Sequence, residues 1–378
     1  MMNTKSFAAV VLASLLLVLT LDVRAHWPGQ PPHQFANLGD LKLESGAVIK
    51  DLRISYVTHG KLSAAKDNAI LFMHGGGANH HNFDHMIGPG RPLDTDRYFI
   101  ICPDVLGATQ TDYEHSTSPT NSGLKMKFPF FNDRDIVKAT HLLITQGLGI
   151  PHLLASTGLS MGGRASVQLA ISHPQFMDGI ITVVSAQVFS AGASASQGRF
   201  RGPLMVSTIT SCKGWDGGDY EQNPKECATN AISVVASHFH TSEWWSRDLD
   251  TPEAFAKWRN TFGAEYLDVQ DARDLFYQMV AWGRSEMSET PGFNGDLNKA
   301  LGSIKAKSLV IYNPRDQLSL AADAEALIRA IPNARGLAID SPAGHLICCN
   351  ADPRATRLMG DAISVFLQEL RAQRVSVK

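Results

Sequence analysis

The sequence has little charge of either sign and little cysteine. Only 19% of its 378 residues are charged and the formal net charge is −2, so it lacks the basic excess typical of proteins that bind nucleic acid or anionic lipid. None of its five cysteines forms a C-x-x-C pair, which excludes zinc-ribbon, thioredoxin-like and c-type haem proteins. A hydrophobic fraction of 44% excludes a disordered chain, and a chain of this length can bury its own core.

The first 25 residues have the pattern of a secretory signal. Lys5 supplies a positive start, residues 7–21 are uncharged and mostly apolar, and residues 23–25 fit a cleavage site. The apolar run is shorter than the ~20 residues that a comfortable membrane span requires. We therefore predict a signal peptide at 1–25 and a periplasmic or secreted mature chain without stable membrane insertion. An uncleaved anchor is the alternative.

Export would place the cysteines in an oxidising compartment, where disulfides form. Cys212 and Cys227 lie 15 residues apart in a polar stretch and are the best candidates for a pair. Cys102 ends an apolar run and is predicted to be a buried thiol. Pairing of the adjacent Cys348 and Cys349 would be strained.

Short apolar runs alternate with helical patterns along most of the chain. Strands are predicted at 69–73, 98–102, 152–155, 179–184, 308–312 and 336–339, and helices at 135–148, after residue 160, at 320–331 and at 355–374. This alternation favours an α/β fold with a mostly parallel sheet. Segments 41–45 and 48–57 are predicted to form an antiparallel hairpin at the sheet edge. Residues 188–303 interrupt the alternation and are interpreted as a helical cap inserted into a core formed by 26–187 and 304–378.

The segment 158–163 reads Gly-Leu-Ser-Met-Gly-Gly and joins a predicted strand to a predicted helix. This is the context of a nucleophile elbow, in which small neighbours let a serine hydroxyl project from a tight turn. We therefore predict Ser160 to be a nucleophile. A plain strand-to-helix turn is the alternative.

A serine nucleophile needs a histidine base and a carboxylate that orients the base. In this topology the order along the chain is serine, acid, histidine. Asp316 and His345 each follow a predicted strand and are the candidates. Asp340, at the end of the last strand, is the rival acid.

Two backbone amides are needed to stabilise a tetrahedral oxyanion. One is predicted to come from Met161, directly after the nucleophile. The other is predicted to come from Gly76 in the loop 74–77, with Gly75 or Gly77 as the alternatives.

Two further clusters invite a functional interpretation. His80, His81 and His85 follow the glycine loop, but adjacent loop histidines are expected to point apart, so no metal is predicted. The proposed chemistry requires no other cofactor. A second cluster in the cap either lines a substrate pocket or packs the cap itself, and it consists of His238, His240, Trp244 and Trp245.

Taken together, these motifs resemble the homoserine O-acetyltransferase group of α/β-hydrolases. The resemblance runs through segments 56–60, 89–100, 104–107, 128–129, 134–137, 148–150 and 160–163, and through Trp215, Gly218, Tyr220 and Pro224 in the cap. It implies the α/β-hydrolase fold, a triad of Ser160, Asp316 and His345, a cap that encloses the acyl pocket, and a homodimer formed through the cap.

The sequence departs from that family at positions that affect the reaction. Leu159 and Leu346 stand where the family usually has Gly and Asp, and segment 108–112 is altered. The arginine that grips the acceptor's carboxylate cannot be assigned among Arg164, Arg199 and Arg201. Export also separates the protein from cytoplasmic acetyl-CoA and homoserine.

We therefore predict an exported serine hydrolase that cleaves a carboxylic ester, with amides and lactones as further candidate substrates. Its expected partner is a small acyl compound and not nucleic acid. The alternatives are an acyltransferase of the homoserine O-acetyltransferase type and a catalytically silent binding protein on the same fold.

Overall fold

The computed structural model describes residues 31–108, 115–185, 193–262 and 270–377. The predicted signal peptide at 1–25 lies outside these ranges. Within them, no helix is both long enough and apolar enough to cross a bilayer.

An eight-stranded sheet forms the centre of the molecule, and the strands run in the order β1-β4-β8-β5-β9-β10-β11-β12. The first two pairings, β1 with β4 and β4 with β8, are antiparallel, and all the others are parallel. The strands are β1 Gln34–Asn37, β2 Leu41–Lys42, β3 Val48–Ile49, β4 Arg53–His59, β5 Ala69–Met73, β6 Ile87–Gly88, β7 Leu93–Asp94, β8 Phe99–Pro103, β9 Leu153–Leu159, β10 Met177–Val183, β11 Lys307–Tyr312 and β12 Ala334–Ala338. The predicted α/β class with a mostly parallel sheet is confirmed.

Helices cover the sheet and fill the long connection between β10 and β11. They are α1 Asp133–Leu142, α2 Met161–Ser172, α3 Ala193–Thr210, α4 Lys225–Ala236, α5 Ser242–Asp248, α6 Pro252–Phe262, α7 Ala272–Arg284, α8 Leu297–Gly302, α9 Ala321–Ala330 and α10 Pro353–Val377. The start of α1 is set by Asn132, whose side chain accepts from the amides of Arg134 and Asp135 in a capping box. The helix therefore begins before the predicted residue 135, and it passes into a π-helical turn at Leu143–Gly147.

The predicted edge hairpin forms only in part. β2 pairs antiparallel with β3 in a small separate sheet, but the chain leaves extended pairing after Ile49. The segment that follows becomes β4, whose antiparallel partners are β1 and β8. The prediction of one continuous strand over 48–57 is wrong because Asp51 adopts a left-handed φ of 47°, which turns the chain.

In the described part of the chain, the buried apolar side chains form three clusters. Two of them cover opposite faces of the sheet, and strands such as β5 are buried over their whole length, as a central parallel strand requires. The third cluster is formed mainly by α3, α4 and α7, and it includes Leu318 from the loop after β11. Ala300 and Leu301 of α8 pack with the sheet's own core. The third cluster therefore places an apolar layer over one end of the sheet.

Candidate active site

Ser160 lies at the turn between β9 and α2 in a strained conformation. Its φ and ψ are 48° and −114°, which a residue other than glycine rarely adopts. The turn is tight, because a Cβ on Gly158 would lie 2.3 Å from the backbone of Gly162, and a Cβ on Gly162 would lie 2.0 Å from the backbone oxygen of Met73. The glycines are therefore needed for space, and the turn has the geometry of a nucleophile elbow.

Asp316 and His345 form a buried acid–base pair. The Nδ1 atom of His345 lies 2.7 Å from Oδ2 of Asp316, so its proton is donated to the carboxylate. The other carboxylate oxygen accepts from the amides of Leu318 at 2.7 Å and Ser319 at 3.0 Å. Both members are buried. The carboxylate is thus fixed on both sides, and it holds the imidazole with Nε2 as the acceptor that a general base requires.

Hydrogen bonds link the chain at Ser160 to the carboxyl end of β10, and β10 to β11, which precedes Asp316. The amide of Ser160 donates to Val183 of β10 at 2.9 Å, and that of Val184 donates to Ile311 of β11 at 2.9 Å. Each candidate also has a close neighbour in the chain, namely Met161, Leu318 and Leu346, that packs with the apolar layer. The three residues therefore face the same apolar layer from the carboxyl ends of β9, β11 and β12, and β10 lies between β9 and β11.

The rival acid Asp340 lies elsewhere. Its side chain is 72% exposed and 3.8 Å from the Arg315 guanidinium. The structure pairs His345 with Asp316 instead.

The chain segment that connects β10 to β11 also binds the loop that carries His345. The amide of His345 donates to the carbonyl of Phe239 at 2.7 Å, and the two rings lie parallel with centroids 6.2 Å apart. Thr241 donates to the Pro342 carbonyl through both its amide and its hydroxyl. The position of the candidate base therefore depends on residues far from it in sequence.

The glycine loop after β5 packs directly against the elbow. A Cβ on Gly75 would lie 3.8 Å from Cβ of Ser160, and one on Gly76 would lie 2.4 Å from Sδ of Met161. The amide of Gly75 donates to Oδ1 of Asn82, and the amide of Gly77 donates to Oε1 of Gln278, each at 2.9 Å. Side chains thus hold the amides on both sides of Gly76, and they fix the glycine loop beside the elbow.

Several polar residues that support this site were not predicted from the sequence, and three of them carry side-chain amides that join distant loops. Gln278 and Gln270 bind the amide and the carbonyl of Gly77, respectively, and Gln278 also binds the carbonyl of Gly107. Asn313 donates to the carbonyls of Ser341 and Gly344, both at 2.8 Å, and so joins the loops after β11 and β12. No sequence motif marks these glutamine and asparagine side chains, because their hydrogen-bond partners lie between 28 and 201 residues away along the chain.

In the aromatic cluster at 238–245, His240 packs against a tryptophan and the loop before His345. The His240 ring stacks on Trp244 with centroids 3.5 Å apart, and its Nδ1 lies 3.1 Å from the Ala343 carbonyl. Burial lowers the pKa of His240 to about 4, so the ring is neutral near pH 7. His240 therefore fixes the loop before His345.

The cysteines form one disulfide, and the others are free thiols. Cys212 and Cys227 form a disulfide, which confirms the predicted pair. Cys102 is a buried thiol, as predicted. The thiol of Cys348 lies 3.4 Å from the carbonyl of His345, and a hydrogen bond with Cys349 together with burial raises its pKa. That thiol therefore stays protonated near pH 7 and is a poor rival nucleophile.

The histidines after the glycine loop do not point apart. The Nε2 atoms of His80 and His81 are 2.9 Å apart, and Nε2 of His33 lies 2.8 Å from that of His80. The prediction of diverging rings is wrong, because Asp104 and Asp84 each bind the Nδ1 atom of one ring and turn the two Nε2 atoms toward each other. His85 is not part of this group.

Burial alone would raise the pKa of Asp104, but the neighbouring His80 and hydrogen bonds from His80 and Ser55 hold it well below its usual range. The carboxylate is therefore charged near pH 7.

Comparisons with known proteins agree with this geometry. Residues 68–211 match the α/β hydrolase fold family. The chain is 30% identical to a homoserine O-acetyltransferase of Moorella thermoacetica over 365 residues, which cover 88% of this chain and 94% of that protein.

Among solved structures, an acetylester hydrolase from Corynebacterium glutamicum aligns with a TM-score of 0.75 at 25% identity and covers 89% of this chain and 96% of its own. A homoserine O-acetyltransferase from Bacillus anthracis aligns with a TM-score of 0.76 at 22% identity, covering 89% and 97%. With the elbow, the acid–base pair and the glycine loop in place, the chain belongs to the homoserine O-acetyltransferase-like group of the α/β-hydrolase fold family.

Proposed function

We propose that this protein is a serine hydrolase that cleaves a short-chain carboxylic ester, and that it acts after export to the periplasm or the exterior. His345 accepts the proton of Ser160, whose oxygen attacks the ester carbonyl. The amides of Met161 and Gly76 stabilise the oxyanion, and Asp316 stabilises the imidazolium. The alcohol leaves with the proton from His345. Water then attacks the acyl-enzyme by the same route and releases the acid.

The observation that favours hydrolysis over acyl transfer is the apolar packing of Leu346. This apolar residue follows His345 directly and packs against the apolar layer. An amino-acid acceptor carries an ammonium and a carboxylate, and burying either without a partner is costly. An apolar surface at this position favours water or a neutral alcohol as the group that reacts.

Two of the three candidate arginines are occupied by other contacts. The Nε atom of Arg164 lies 2.7 Å from Oδ2 of Asp133, and Arg201 donates to the carbonyl of Gln317 at 2.9 Å. The side chain of Arg199 lies outside the described part of the chain. These contacts support a substrate without a carboxylate.

A short acyl group is supported by a small cavity beside the elbow. Gly75, Met161, Val105 and Leu106 contribute to its mostly apolar lining. We propose that the acyl group carried on Ser160 points toward this space, whose small size suits an acetyl methyl better than a long chain. The name of the solved relative at 25% identity, an acetylester hydrolase, agrees with this proposal.

Acyl transfer to an alcohol is the second candidate, and the relative from Moorella thermoacetica favours it. That protein is named homoserine O-acetyltransferase and matches 88% of this chain. An acyl-enzyme on Ser160 would serve either reaction, because the two differ only in the nucleophile that removes the acyl group.

The test is to incubate the purified protein with p-nitrophenyl acetate, with and without L-homoserine, and to quantify both acetate and O-acetylhomoserine. We expect acetate at the same rate in both reactions. Predominant formation of O-acetylhomoserine would replace the hydrolase proposal with the acyltransferase. A fluorophosphonate probe should label the wild type and not Ser160→Ala, and absence of labelling in both would favour a silent binding protein.

A pair of variants at Leu346 tests the observation that carries the proposal. Leu346→Asp introduces a counter-charge for an ammonium, whereas Leu346→Asn has the same size without the charge. We expect Leu346→Asp to raise the share of acetyl transferred to homoserine relative to Leu346→Asn. Equal product ratios in the two variants would show that this position does not select the acceptor.

A further inference from the structure

Three histidines from two separate segments meet near the amino end of the described chain. Within the described residues, the metal-binding atoms of His33, His80 and His81 lie within 4.8 Å of one another. His80 is fully buried, and the other two are half-buried. We propose that these three Nε2 atoms bind a divalent transition-metal ion, with zinc as the reference ion, at a site separate from the triad.

Carboxylates behind two of the rings orient them for coordination. The Nδ1 atom of His80 lies 2.9 Å from Oδ1 of Asp104, and the Nδ1 atom of His81 lies 2.7 Å from Oδ2 of Asp84. The second oxygen of Asp104 accepts from the hydroxyl of Ser55. A carboxylate behind a histidine fixes its tautomer and makes the other nitrogen more basic, an arrangement found around many protein metal ions.

A cation between the rings would remove a repulsion between nitrogen lone pairs. When both Nδ1 atoms carry protons that they donate to carboxylates, the Nε2 atoms of His80 and His81 present lone pairs to each other at 2.9 Å. A metal ion turns this repulsion into coordination. Zinc–nitrogen bonds of about 2.0–2.1 Å in tetrahedral geometry separate ligand atoms by about 3.4 Å, so the rings need to open by roughly half an ångström.

The donor set selects the class of ion. Three imidazoles suit zinc, copper, nickel and cobalt, whereas magnesium and calcium prefer oxygen ligands. Three protein ligands leave one tetrahedral position for water or for a further group.

The fold gives such an ion a structural role. His33 directly precedes β1 at the sheet edge, whereas His80 and His81 follow the loop that contains Gly76. Asp104 follows β8, which lies between β4 and β5. A bound ion would therefore join the sheet edge to the segment that follows the candidate oxyanion loop, and it should stabilise the fold.

Zinc binding to the chelator-treated protein tests the proposal. The protein carries no polyhistidine tag and includes His33, and zinc chloride alone is titrated by calorimetry. We expect one ion per chain and a rise in melting temperature. The cobalt form should show the visible absorption bands of a tetrahedral or five-coordinate site.

Variants assign the ligands. His33→Gln and His81→Gln should each weaken zinc binding at least about tenfold, and Asp84→Asn should weaken it about 10–100-fold, as loss of a supporting carboxylate does. His85→Gln is the matched control, because His85 lies in the same segment outside the group, and it should leave affinity unchanged. Both ligand variants alter half-buried side chains and should fold, which circular dichroism checks.

Two results would overturn the site. One is the absence of stoichiometric zinc binding by the folded wild type. The other is binding that His33→Gln and His81→Gln leave within about twofold of the wild-type affinity. Neither result depends on ester hydrolysis, so the site and the proposed activity can fail separately.

Discussion

Replacing Asp316 with Asn should remove most of the activity without unfolding the protein. One carboxylate oxygen accepts from the amides of Leu318 and Ser319, and the other accepts from Nδ1 of His345. In the variant the amide oxygen has to face the two backbone donors, so its NH₂ group faces His345. The amide cannot flip, because NH₂ would then meet two N–H donors. The ring is therefore forced to place its proton on Nε2, where it can no longer accept a proton from Ser160.

The size of the effect follows from this tautomer switch. A histidine held in the wrong tautomer costs a serine triad about 10⁴-fold in kcat, as the corresponding Asp-to-Asn change does in serine proteases. That loss corresponds to about 5 kcal/mol of transition-state stabilisation. The side chains have the same shape and the two backbone hydrogen bonds are kept, so the free energy of unfolding should change much less.

The assay is steady-state hydrolysis of p-nitrophenyl acetate by the wild type, Asp316→Asn and Asp340→Asn. The last variant is the matched control, because Asp340 is the rival acid and its side chain is exposed. We expect its kcat to stay within about twofold of wild type. The proposed role of Asp316 is refuted if Asp316→Asn keeps more than about a tenth of the activity, or if Asp340→Asn produces the large loss instead.

Three further predictions concern stability, measured as the free energy of unfolding in urea. Gly162→Ala should cost about 3 kcal/mol or more, because the new Cβ would lie 2.0 Å from a backbone oxygen of β5. Gly302→Ala is the control and should cost little, because the space around Gly302 is open. Equal effects of the two variants would contradict the tight packing at the elbow. Replacing Cys212 and Cys227 together with Ser should cost about 3 kcal/mol, the loop-closure value for 15 residues, and an unchanged urea midpoint would count against this. Burial and a neighbouring histidine lower the pKa of His141 from 6.5 to about 4, so the unfolded chain binds a proton more readily than the folded protein does. The free energy of unfolding should therefore fall as the pH drops from 6.5 toward 4. A His141→Gln variant that keeps the same pH dependence would disprove that His141 causes it.

Much of the framework could be predicted from local sequence alone. The strand at 69–73 is placed to the residue, because a run of apolar residues between turn signals has few alternatives to a buried strand. Ser160 could be identified because the elbow is a local structure whose glycines, strand and helix are contiguous. The order of acid and histidine then follows from the topology.

The broken edge strand and the helix start at Asp133 could not be predicted in the same way. One depends on the backbone conformation of Asp51, and the other depends on a cap formed by Asn132. Such ends are set by single residues whose alternative conformations differ by small free energies.

The sequence by itself indicated the groups on which the proposed chemistry depends: the serine, the acid and histidine candidates, and the glycine loop. Tertiary structure alone decided how these groups are held. It placed Asp316, and not Asp340, beside His345, and it used Gln278 to hold the glycine loop from about 200 residues away. It also brought His33 to His80 and His81. The physical reason is that hydrogen bonds and metal coordination act over about 2–3 Å in space, and contacts between distant segments leave no local pattern in the chain.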